Sequence, residues 1–229
     1  MQTTFAPGAS ALPYDVLFVV IDAARPDAIA SLHDPTRDAR VAAAKEPPLD
    51  AWLPRMPEVA PNLDALAGDG VAFSRAYSAA TWTRPGTIAM LAGARSSEVG
   101  LESTRWVLPA SEVARFYGAR PSLLPLTMRA RGAVTEALVD NYFLAGYARV
   151  GLDVGFDALT DHRYELEDTE RLVADATRFL EENAKRRFCL FLNLNSPHAP
   201  YLPPAVDREA VLRAPNAPRD PRVVDYLAE

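Results

Sequence analysis

Asp22 closes the apolar run VLFVVI, Asn141 follows AVTEALVD, His198 stands just after FCLFLNL, and Thr83 comes shortly before a helix signal at Pro85. If the apolar runs are strands of one sheet, these polar residues gather along one rim. Helix N-termini bind oxyanions through unpaired N–H groups and the macrodipole. A carboxylate beside a hydroxyl can hold a divalent cation against the same anion. The pattern implies an anion site with a metal.

Each residue also has a plainer reading. Asp22 and Asn141 are turn-forming residues after a strand, and Asn195 has the same status. Thr83 ahead of Arg-Pro is good helix N-cap chemistry. His198, between two prolines, can be a loop histidine whose ring packs. Arg25 and Asp27 fit a local ion pair at a helix start, and Trp82 and Tyr201 fit pocket walls or core.

The elements that must position these residues follow from periodicity. Residues 14–22 and Phe188 to Leu194 are near-continuous apolar runs, which predict buried central strands. AVTEALVD predicts a third strand and VAFSRAYSA a fourth. Helices are predicted from Pro61 to the glycines at 68 and 70, from near Pro85 to before Gly93, and from Ser122 to Arg131, closed by Gly132. Between Asp168 and Arg187, Leu172, Val173, Ala176, Phe179 and Leu180 share one face, with acids early and bases late. VVDYLAE reads as a final helix, 31–60 as an irregular excursion, and 94–121 carries no clear assignment. Strands alternating with helices predict an α/β fold around a mostly parallel sheet, with ligands at the strands' carboxyl ends.

Composition narrows the function. The chain has 229 residues, 49% hydrophobic and 24% charged, which is ordinary for a globular domain. Its net charge is −6 and Lys45 and Lys185 are its only lysines, so nucleic acid is not an expected partner. Neither a secretory leader nor a membrane span is legible, and the expected location is cytoplasmic. The single cysteine, Cys189, lies in an apolar run and reads as a small buried hydrophobe.

Taken in order, several segments resemble the sulfatase family of the alkaline-phosphatase-like superfamily. VLFVVIDAARPD is similar to its opening strand, PNLDALAGDGVAFSRAYS to the helix and strand that follow, TWTRPGTIAMLAG to its nucleophile signature, and LFLNLNSPHAPYLPP to its strand and His-Pro loop. ARGAVTEALVDN and the Gly155-Phe156-Asp157 triplet fit the stretch between. The resemblance runs from residue 15 to 229, with 1–13 a tail and 14–229 the N-terminal part of one α/β domain. It implies that Asp22 and Thr83 ligate a divalent metal (Ca, Zn, Mn or Mg) and that Thr83 is the nucleophile. It implies too that His198 contacts the anion or a metal, while Asn141 and Arg84 bind a small anionic ester.

Departures from the family pattern are informative. Ala23 stands where many sulfatases carry a second acid, Thr87 where they carry arginine, and Asn141 near their lysine. Thr83 cannot become formylglycine, so phosphate or phosphonate esters are expected ahead of sulfate esters. The family's later Asp-His-Gly or Asn-His-Gly motif is not found, so the chain is expected to be either the N-terminal part of a longer protein or a natural fragment with half a metal site. A phosphoryl-type transferase of the same fold and a non-catalytic binding module are the competing readings.

Overall fold

The structure is a computed structural model that describes residues 14–24, 29–32, 60–102, 105–119, 121–145, 150–152, 155–162, 169–198, 203, 205–213 and 221–228. The expected tail, most of the excursion at 31–60, Arg25, Asp27 and Tyr201 lie outside the described residues. The chain forms two compact units, Met1–Asp22 with Ser78–Asn195 and Ala23–Tyr77 with Ser196–Glu229.

The first unit holds strands β1 (Val16–Ile21), β2 (Val134–Val139), β3 (Ala158–Asp161) and β4 (Phe188–Leu194), all paired in parallel in the order β1-β4-β2-β3. Parallel pairing brings all carboxyl ends to one rim and requires cover on both faces. Strand alternation divides the side chains accordingly. Phe18, Phe191, Ala137 and Val139 join Ile88 and Leu91 of helix α2 (Thr83–Ala92) in the larger core cluster. Cys189 on that same face packs with Met128 of α4 (Leu124–Ala130). On the opposite face Leu138, Leu190 and Leu192 meet Leu172, Ala176 and Phe179 of α5 (Thr169–Glu182). The result is a helix-sheet-helix sandwich, the α/β architecture expected. Cys189 is buried as expected, and that burial pushes its thiol up to about 11.

The second unit contains α1 (Pro61–Asp69), α6 (Ala205–Arg213) and α7 (Pro221–Ala228), while α3 (Ala110–Ala119) belongs to the first. Asp64 of α1 accepts the Ser31 N–H at 2.7 Å, and α6 packs on α7 with Arg208 paired to Asp225 at 2.6 Å.

Several expectations need correcting. VAFSRAYSA is not a strand; Val71, Phe73 and Tyr77 are exposed, and no described strand offers it a ladder. The β1 run reads as central, yet among the described strands β1 stands at an edge, with Leu17 and Val19 half-exposed on the α5 face. The helix expected over 168–187 ends at Glu182, with Val173 exposed. Arg187 instead pairs with Asp15 at 3.2 Å ahead of β1.

The Gly155-Phe156-Asp157 triplet is structural. Asp157 Oδ2 accepts the Thr135 N–H (3.1 Å) and hydroxyl (3.0 Å), and Phe156 packs against Phe191. A Cβ on Gly155 would lie 2.9 Å from Pro125 Cγ, part of a ring that cannot rotate away. Gly155→Ala is therefore expected to destabilise the fold by about 1–3 kcal/mol, the range for overpacking. Chemical denaturation against wild type checks it.

Candidate active site

Three adjacent strand ends build the site. The β1–β4 ladder runs one step past Ile21, because the Asp22 N–H donates to Leu194 O at 2.8 Å. Asp22 is thereby pinned beside Asn195. Alternation sends Asp22, Asn195 and Asn141 to the face that carries α2, whereas Asp140 goes to the α5 face. Ala23, next after Asp22, holds a φ of 59°, a left-handed conformation an alanine adopts at a cost of roughly 1–2 kcal/mol. Strain of this kind tends to gather at functional sites.

Thr83 is the first residue of α2. Trp82, in extended conformation, is the N-cap and makes no side-chain cap bond. The Thr83 hydroxyl is thus free of capping and donates to Asp22 Oδ2 at 2.8 Å. No acid sits in the first turn of α2, so the positive end of the helix faces this carboxylate without a charge of its own.

Asn141 is 5% exposed, and its orientation follows from its bonds. Its Oδ1 accepts the Phe143 N–H at 2.9 Å, an Asx turn. That leaves Nδ2 to donate to Asp22 Oδ2 at 3.1 Å and to Asn195 Oδ1 at 3.0 Å. One carboxylate oxygen thus gathers the hydroxyl and the carboxamide.

Arg84 turns elsewhere. It is 1% exposed; its Nη1 donates to Trp106 O at 2.9 Å, and its guanidinium lies over Trp82 (5.5 Å) and Phe143 (5.3 Å). Trp82 and Trp106 both meet Phe143 edge-on, with ring centroids 5.4 and 5.8 Å away. Burial lowers the Arg84 pKa, and the aromatic faces offset part of that cost. In this arrangement Arg84 fastens the start of α2 to the loop after β2. His198 is exposed and belongs to the second unit.

Behind the rim, on the α5 face, lie groups that the motifs did not point to. Asp140 Oδ2 accepts the Asn195 N–H at 3.2 Å. Burial raises the Asp140 pKa; the N–H bonds lower it, the Asp22 charge raises it further, and His162 lowers it. His162, just past β3, donates its backbone N–H to Val139 O at 2.8 Å, and its Nε2 meets Asp175 Oδ2 of α5 at 2.8 Å. Burial opposes charge on Asp175, but His162 and Arg178 together hold its carboxyl below the usual range. A short strand, Ala158–Asp161, and a helix residue thirteen positions beyond His162 make this pair, which no local motif announces.

A family model for sulfatases matches residues 15–226. The chain belongs to the sulfatase family. That family is part of the alkaline-phosphatase-like superfamily, and the parallel four-stranded sheet with flanking helices agrees with its fold. At family level this sulfatase relative is a hydrolase of the type that acts on anionic esters. No curated protein and no solved structure matches the chain. No helix among the described residues is long and apolar enough to cross a membrane.

Sulfatases generally use a divalent metal, and the donors present test that. Asp22 and Thr83 offer hard oxygens, the kind that Ca, Mg and Mn prefer and Zn accepts. The described hydrogen bonds of the Asp22 carboxylate all run to Oδ2, which leaves Oδ1 for a ligand. Asn193, fully buried two residues before Asn195 and on the same face, has neither Oδ1 nor Nδ2 bonded, so this end of β4 carries polar capacity that no described protein atom satisfies. These residues fit one side of a cation shell. Among the described residues no cluster of three histidine, cysteine or acidic side chains completes it.

Proposed function

We propose that this sulfatase-family chain carries the nucleophile of a metal-dependent esterase that prefers phosphate or phosphonate esters to sulfate esters. The observation that carries the reading is the 2.8 Å bond from the Thr83 hydroxyl to Asp22 at the uncapped start of α2. Thr83 Oγ1 attacks phosphorus, the bond to the ester's leaving oxygen breaks, and the hydroxyl proton passes to Asp22 Oδ2. Water then hydrolyses the phosphothreonine. The N–H groups opening α2 face the charge that builds on the non-bridging oxygens, the kind of aimed donor that stabilises transition states, while Asn141 Nδ2, whose two hydrogens go to Asp22 and Asn195, holds the Asp22 carboxylate in place. A divalent cation held by Asp22 and Thr83 would supply the Lewis acidity that makes a threonine hydroxyl a competent nucleophile.

The preference for phosphorus rests on residue identity. Thr83 cannot be converted to formylglycine, and Thr87 puts a neutral, buried side chain one turn along α2 where the family pattern has arginine. The test is a panel of p-nitrophenyl phosphate, phenylphosphonate, phosphodiester and sulfate, each assayed with added Mg, Mn, Zn or Ca and again after chelation. Phosphoester or phosphonate turnover that vanishes on chelation and returns with metal is the expected result. Turnover of the sulfate ester alone would overturn the substrate preference, and no turnover with no metal uptake would favour a binding module.

A further inference from the structure

The residues behind the rim have no part in the chemistry just described, yet they reach it in two hydrogen bonds. We propose that Asp140 is a positioning residue of this site: by accepting the Asn195 N–H it sets the Asn195 side-chain oxygen that turns the Asn141 carboxamide onto Asp22. The inference concerns the same site as the hydrolase reading, and its test reads the carboxamide and not turnover, so failure of either leaves the other standing.

The geometry runs in one direction. Asp140 and Asn141 are consecutive and project to opposite faces, so a shift of the β2 end moves both. Asn195 is the first residue past β4, where the ladder no longer holds the backbone; Asp140 Oδ2, at 3.2 Å, replaces the missing ladder acceptor. The Asn195 oxygen then takes Nδ2 of Asn141 at 3.0 Å, and the same Nδ2 bonds Asp22 at 3.1 Å. The carboxamide is held from both ends, since its Oδ1 is already used by Phe143. Behind Asp140, the His162 ring is fixed by Asp175, and Asp175 by Arg178. His162 stands close enough for its charge to act on Asp140.

Stability does not explain the choice of residue. The Asp140 Oδ1 atom is buried without a partner, and the folded state holds the carboxyl proton more tightly than the unfolded chain does. Its ionised form therefore weakens the fold above that pKa. An asparagine would keep an acceptor at the same place without the buried charge.

The experiment uses the whole chain and NMR of the Asn141 side-chain NH2, assigned by its disappearance in Asn141→Ala. In wild type these protons exchange slowly with solvent. In Asp140→Ala their exchange is expected to quicken about tenfold, the worth of one net hydrogen bond, with a shifted resonance, while the Thr135 amide further down β2 stays protected. Asp140→Asn is expected to restore slow exchange. If the alanine variant fails to fold, Asp140→Glu moves the acceptor by one methylene and should speed exchange in the same way. Unchanged Asn141 exchange in a folded Asp140→Ala or Asp140→Glu protein overturns the proposal. So does an Asp140→Asn variant that behaves like the displaced ones, because the acceptor position would then not be what matters.

Discussion

Thr83→Ala is expected to lower kcat/KM on a phosphate or phosphonate ester by at least about a thousandfold, in line with the loss of a nucleophile in other hydrolases. The variant should otherwise fold normally. Thr83 is the first helical residue and not the cap, so alanine there costs no capping bond and suits the helix. What disappears is one hydrogen bond to the Asp22 carboxylate, worth about 1.5–3 kcal/mol. Thr83→Ser keeps the hydroxyl within reach of Asp22 and should retain activity to within about tenfold. Steady-state kinetics of both variants, with mass spectrometry of acid-quenched wild type to find a phosphorylated Thr83, decide the matter. Wild-type turnover in Thr83→Ala would remove Thr83 from the mechanism and return it to the role of a helix-start residue.

Much of this site was legible because strands of a parallel sheet end on a common rim. VLFVVI, AVTEALV and FCLFLNL are apolar enough to be buried from both sides, and the polar residues that end them had to share an edge. The pairing of Thr83 with Asp22 follows once α2 is placed against that edge. Alternation also explains what was missed. Asp140 belongs to the same strand end as Asn141 but faces the other layer, so a reading that pooled strand-end residues could not separate the two. β3 has only four residues, ALTD, no apolar run of its own, and among the described strands it pairs with β2 alone. His162 inherits its position from that strand, and its partner Asp175 comes from another element, so only the fold brings them together. The false strand at VAFSRAYSA is the converse case: a period that suits a strand, with no described neighbour to pair with. Arg84 shows a third limit. Its place in the nucleophile signature suggests substrate contact, whereas its burial depends on Trp106 and Phe143, which are far from it in sequence.

Asp22→Asn is expected to have the second large effect, and in two separable ways. Asparagine keeps the shape of the side chain and an oxygen for the Thr83 hydroxyl and the Asn141 NH2, but removes the charge that a divalent cation needs. Replacing residues that merely support metal ligands commonly costs 10–100-fold in affinity, so loss of a charged ligand should weaken metal binding by at least about a hundredfold. Calorimetric titration of the chain with Mg, Mn, Zn and Ca measures this directly, and ester hydrolysis should fall in parallel. The second effect is electrostatic and needs no metal. The Asp22 charge is one of the causes that raise the Asp140 pKa, after burial. Removing it should bring the Asp140 titration, followed by carboxyl carbon NMR, down toward the ordinary range. A carboxylate with a raised pKa weakens the fold when it is ionised, so Asp22→Asn should be no less stable than wild type at neutral pH in the absence of metal. A variant that loses stability but keeps its metal affinity would mean that Asp22 serves the β1–β4 turn and not a cation. A variant that keeps its stability and loses metal binding would place the charge of Asp22 in the chemistry.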